Sequence, residues 1–166
     1  PLLEPHQHML YVPYFKAKLL LSGGSREEGL KAFFPFAKKK SGEFWVWQVM
    51  AEAHQDQPEV YLACLCKAMT CRTSAEFLSG IRERLISYLI QAEEYGWAKS
   101  ELDQLVAIRE KMGWGLRGNH RQLLGSKWSR EAVQVELKSR YTSLLPEAEA
   151  LLGIQQQTVL VLVTGW

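Results

Sequence analysis

Excess charge of one sign is missing from this sequence, and so is any long apolar run. The 166 residues carry twenty Lys and Arg against eighteen Asp and Glu, a net charge of +2. No global field draws the chain to nucleic acid, so any basic site must be local. The longest apolar run, Val159-Leu160-Val161-Leu162-Val163, falls far short of the roughly 20 residues that cross a bilayer, which excludes a transmembrane helix and a membrane partner of that kind. No basic stretch followed by an apolar core opens the chain. Its start, Pro1-Leu2-Leu3-Glu4-Pro5 without an initiator Met, reads as the edge of a fragment of a longer protein. Cysteine is scarce: Cys64, Cys66 and Cys71 are an odd, closely spaced set. That is no disulfide framework and points to a reducing, cytoplasmic compartment. Low hydrophobicity is also absent, since 47% of residues are hydrophobic and 23% charged; the chain is expected to fold, and its length suits one domain.

Catalytic patterns are missing as well. Gly113-Trp114-Gly115-Leu116-Arg117-Gly118 has the G-x-G-x-x-G spacing, but a phosphate loop of that type follows a buried strand, and the preceding Ile108-Arg109-Glu110-Lys111-Met112 ends a charged helix. The glycines are read as a helix stop and a loop. The cysteines with His54 suggest zinc by type, yet on a helix Cys66 points about 200° away from Cys64, so the three thiols do not converge. No metal and no cofactor is expected. The four histidines, His6 and His8 in the N-terminal stretch among them, form no H-E-x-x-H arrangement and no serine is flanked as a nucleophile. The expectation is a protein that is not an enzyme.

What is present is a period. Ala17 and Ala51 stand 34 residues apart, each followed by a polar breaker (Ser22-Gly23-Gly24-Ser25, then Gln55-Asp56-Gln57-Pro58), and Pro13 and Trp47 share the same offset. A third unit starts one residue late with Leu85-Ile86 and runs through Leu89, Tyr95-Gly96-Trp97-Ala98 and Leu102. Phe77, Ile81, Leu85, Tyr88, Leu89 and Ala92 lie at helical spacing and predict one buried face. Thr73-Ser74-Ala75-Glu76 and Ser25-Arg26-Glu27-Glu28 have the capping-box form of a helix start. Pro35 is expected to kink or shorten its helix. A further stripe, Val133, Leu137, Tyr141, Leu144, Ala148 and Leu151, predicts one long helix from about 129 to 152, kinked at Pro146 and covering the open end of the array. Residues 158–166, β-branched and apolar, predict a strand, the start of a neighbouring domain. The fold class is therefore all-α: three helix hairpins with a capping helix over residues 1–157, then a short β-strand over 158–166.

These residues resemble the tetratricopeptide repeat over about residues 10–112. Trp47 matches its opening aromatic, Ala51 its small crossing residue, Ala98 and Leu102 its second-helix pair, and Lys67-Ala68-Met69 the end of a second helix; closing prolines are lacking. The resemblance implies a concave groove lined by the first helix of each pair, which takes a peptide or a partner domain. Its groove positions would be Tyr11, Tyr14, Lys18, Trp45, Gln48 and Glu52. The family's lysine/asparagine carboxylate clamp is not found. The competing expectation is an accessory nucleic-acid surface on Arg117, His120, Arg121, Lys127 and Arg130, interleaved with Trp114 and Trp128, because cations hold phosphate and rings stack on bases.

Overall fold

A computed structural model describes the backbone of residues 5–153 and side chains from residue 12 onward. Among the described residues all regular structure is helical: α1 (Pro5–Ser22), α2 (Arg26–Lys39), α3 (Phe44–Ala53), α4 (Pro58–Thr70), α5 (Ser79–Gln91), α6 (Tyr95–Lys111), α7 (Gly118–Gly125), α8 (Lys127–Glu131) and α9 (Leu137–Leu151), with a 3₁₀ turn at Ala75–Leu78 before α5. Helices α1 and α2, α3 and α4, and α5 and α6 pack as neighbours in contact. Connections of three or four residues, 23–25, 54–57 and 92–94, reverse the chain inside each pair. The first turn is closed by a Schellman arrangement: Ser25 N donates to Leu20 O at 2.8 Å and Gly24 N to Leu21 O at 3.2 Å, with Gly24 at φ +84°. Pro58 opens α4 at its first position, where no amide donor is needed.

The core centres on α4, which packs on α3, α5 and α9. Phe33, Trp47, Met50, Leu65, Leu85 and Leu89 are fully enclosed there, and Ala17, Ala51 and Ala98 are fully buried as well. Enclosure on several sides explains why Cys64 and Cys66, on opposite faces of α4, are both buried. Burial raises both thiols, Cys64 to about 12 and Cys66 further.

Several expectations need correction. The long C-terminal helix is broken into α8, an extended stretch at residues 132–136, and α9. Val133 is exposed outside any helix. Helix α9, expected over the open end of the array, lies mainly against α4, with a smaller contact to α6 of the last hairpin, which is also flanked by α7 and α8. Its apolar residues Ala148 and Leu152 enter the core cluster with α4, and Leu144 and Leu151 pack on it; Lys67 of α4 pairs with Glu149 at 2.9 Å, while Tyr141 donates to Glu101 Oε1 of α6. Neither predicted capping box forms: Ser25 makes no side-chain cap bond, and the 3₁₀ turn takes Ser74 in place of Thr73 as its N-cap, again without a side-chain bond. The 3₁₀ turn rotates Phe77 and leaves it exposed, and Leu78 takes its place in the core. Ala92, in the turn after α5, is exposed too. Pro35 and Pro146 sit inside continuous helices. The strand expected at 158–166 lies outside the described residues.

Candidate functional site

Helices α1, α3 and α5, the first members of the three pairs, are joined by a row of side chains. Lys18 of α1 pairs with Glu52 of α3 at 3.2 Å, and Arg84 of α5 pairs with the same carboxylate at 3.2 Å. The Lys18 ammonium lies 5.8 Å from the Tyr14 ring centroid, and Tyr14 meets Trp45 edge to face at 5.1 Å. Trp45 also packs on Phe36 at 5.6 Å. Of the six residues expected on this face, Tyr14, Lys18, Trp45 and Glu52 are thus brought together. Gln48 is half-buried on the same helix as Trp45 and Glu52. Tyr11 belongs to the backbone of α1, and its side chain lies outside the described residues.

These pairs remain partly open to water, with side chains exposed 35%, 20% and 37% for Lys18, Glu52 and Arg84. Such pairs contribute roughly 0–1 kcal/mol each, so a ligand carrying its own charges can exchange with them at small cost. Beside Arg84 opens a hollow of about 440 Å³ lined by Gln55, Pro58, Tyr61, Arg84, Ser87, Tyr88 and Gln91. Its two phenols pack at 5.9 Å. Partial burial raises Tyr61, with Arg84 opposing and Glu52 reinforcing, and burial likewise raises Tyr88; both keep their protons as donors. Arg84, Tyr61 and Tyr88 were not in the sequence-predicted set. The 34-residue step from Glu52 leads to Ile86, which is buried with Leu102 and Leu105, so the third helix meets the row out of register with the period.

The expected basic surface is divided. His120 is buried, accepts at Nδ1 from the Arg117 amide at 3.3 Å, and faces Glu83 Oε1 through Nε2 at 3.2 Å. An accepting Nδ1 places the ring proton on Nε2, so this histidine acts as a strut between α7 and α5. Arg117 points toward the same Glu83 at 3.8 Å, and Lys127 stands 4.0 Å from Glu131. Arg121 and Arg130 are exposed. Trp128 stacks on Tyr95 at 5.8 Å, which covers one ring face. Trp114 is capped by Arg109 at 5.7 Å, and that guanidinium is held by the Gly115 carbonyl at 2.7 Å. No grouping of three or more His, Cys, Asp or Glu suited to a metal occurs among the described residues. No described helix is long and apolar enough to cross a membrane.

A family model described as "Domain of unknown function (DUF7017)" matches residues 10–148. No curated protein matches the chain, and no solved structure does.

Proposed function

The chain belongs to the DUF7017 family, a domain of unknown function, through residues 10–148, and from its surface we propose that it is a non-catalytic, tetratricopeptide-like module that holds a peptide or partner segment of another protein. The face of α1, α3 and α5 is the binding groove. The observation that carries this reading is the row Tyr14, Lys18, Trp45, Glu52 and Arg84, half-exposed and shared among three successive first helices. Lys18 and Glu52 are 34 residues apart in sequence and adjacent in space, and Ala17 and Ala51, at the same separation, are both fully buried; this supports equivalent units stacked side by side. Half-buried aromatics anchor a ligand because they bring large apolar area at low entropic cost. Arg84 and Lys18 orient it by charge-assisted bonds.

The test is a random-peptide display selection against the whole chain, followed by affinity measurements of the selected peptides. Trp45→Ala should weaken binding about 30-fold, corresponding to about 2 kcal/mol, and Arg84→Ala about tenfold, with thermal melts verifying that each variant is folded. The rival surface on Arg121, Lys127 and Arg130 predicts binding of single-stranded RNA that falls steeply with salt. Peptides that bind the two groove variants unchanged, together with RNA binding lost in Arg121→Glu, would make the groove reading wrong.

A further inference from the structure

One turn around α1 from the groove, Val12, Phe15 and Leu19 are exposed by 56%, 61% and 74%, and Lys16 beside them is exposed as well. Their spacing of three and four residues puts them on a single face of the helix. The same face occurs a second time in the chain. A step of 34 residues takes Val12 to Val46, Phe15 to Val49, Lys16 to Met50 and Leu19 to Ala53, all on α3, and all four are buried. Val46, Val49 and Met50 lie in one core cluster with Ala17 of α1 and with Phe33, Phe36 and Ala37 of α2. Helix α3 packs against both helices of the preceding hairpin; α1 has no hairpin before it among the described residues.

We infer that the outward face of α1 is a docking surface for a helical hairpin of a partner polypeptide, seated on Val12, Phe15 and Leu19 as the α1–α2 hairpin sits on α3. This rests on the repeat reading above and adds a second surface, adjoining the groove where Phe15 meets the Tyr14 ring edge to face at 5.3 Å. Two observations define the occupant. The internal precedent fixes its form, because α3, which carries the equivalent face in buried form, has the α1–α2 pair of helices packed against it. Lys16 fixes part of its chemistry: it stands where α3 has Met50, and α1 carries no Asp or Glu, so a carboxylate on the incoming hairpin would meet it. A second copy of this chain is a poor occupant. Its surfaces equivalent to the one α3 sees are already covered, by α5 and α9 on the middle pair and by α7 and α8 on the last. A face-to-face pair of α1 helices would also bring Lys16 close to its own copy.

The test uses a tandem chain in which residues 5–38 are duplicated directly upstream of residue 5, so that a hairpin of the required kind is offered in register. Packing between neighbouring units adds stability in such arrays, and the melting temperature should rise by about 4 °C or more over the original chain. Phe15→Glu with Leu19→Glu in the junction copy should abolish that rise. The same pair of substitutions in the original chain should leave its melting temperature unchanged, because both side chains face solvent there. A tandem chain that melts no higher than the original overturns the inference. So does light scattering in which the original chain is a dimer that Phe15→Glu with Leu19→Glu makes monomeric, since the occupant is then a second copy. So does a large loss of stability from those substitutions in the original chain, which would mean that its own residues already cover the face. Peptide binding in the groove is read from Trp45 and Arg84 and does not depend on any of these outcomes.

Discussion

Trp45 and Trp47 sit two positions apart on α3 and face different surroundings. Trp47 is fully enclosed and donates from Nε1 to the Ser41 carbonyl at 2.7 Å. Trp47→Ala should therefore destabilise the fold by about 3–5 kcal/mol, while Trp45→Ala, losing a half-exposed ring, should cost less than half as much; equal losses in chemical denaturation would contradict this assignment. The thiols provide a pH-dependent prediction. Burial pushes Cys71 up to about 11 and Cys64 to about 12, from an ordinary value near 9. Above about pH 9 the unfolded chain releases these protons before the folded one does, so the folded state binds more protons and stability falls as pH rises toward 11. Thermal melts from pH 8 to 10.5 should show a decreasing midpoint, and native protein at pH 8 should react slowly with a thiol reagent. Rapid labelling of all three cysteines would refute this. Legibility in the sequence followed the same division: Ala17 and Ala51 were identifiable by their offset and Ala98 by its match to the repeat's second-helix small residue, whereas the buried Glu101 was not, because no local pattern marks a charge held by partners on two other helices as well as its own.

At the level of elements, two turns hold strain or close contact that single substitutions can probe. The α5–α6 turn has the same Schellman bonding as the first one, with Glu94 N donating to Leu89 O at 2.9 Å, but the left-handed position at φ 58° is Glu93. A side chain there costs about 1 kcal/mol. Glu93→Gly should raise stability by about that amount in urea unfolding, and a decrease would show that the side chain has a compensating role. The extended stretch at 132–136 is held against α6 by Ser100, whose hydroxyl accepts from Val135 N at 2.8 Å and is 3.0 Å from Val135 O. A Cβ on Gly96 would come within 2.7 Å of the Val133 carbonyl. Gly96→Ala should force the stretch off α6 and cost about 1–3 kcal/mol; faster amide exchange at Val135 would report the detachment directly. This contact explains why the stripe from Val133 to Leu151 misled: a helical period records which residues are apolar, and it cannot register that Ser100 and Gly96 bind the intervening backbone in extended form.

For the whole molecule, the decisive interaction is the buried pair of Arg82 and Glu101 at 2.7 Å. Trp97 Nε1 donates to the same carboxylate at 3.2 Å, as does Tyr141 of α9, so α5, α6 and α9 converge on one acid. Burial raises Glu101, opposed chiefly by Arg82, and burial, reinforced by the nearby Glu101 carboxylate, raises Tyr141. Removing the acid alone leaves an enclosed guanidinium uncompensated, so Glu101→Leu should cost about 3–5 kcal/mol. The double variant Arg82→Met with Glu101→Leu should cost less than the single one, and the reverse order in a thermal cycle would mean that the pair itself stabilises the fold. The sequence by itself determined the all-helical class of the described residues and the first two hairpins with turns near Gly23 and Pro58, because amphipathic spacing and turn chemistry act over a few residues; Tyr14, Lys18, Trp45 and Glu52 follow as neighbours on one face only through the resemblance to the repeat family. Tertiary structure alone decided that Arg84, Tyr61 and Tyr88 border that face, that His120 is a strut to Glu83, and that α9 returns to α4. Each of those depends on partners far apart in the chain, as Arg84 is from Glu52, Tyr61 from Tyr88 and Lys67 from Glu149, and their free energy appears only when water is excluded between helices that have already met.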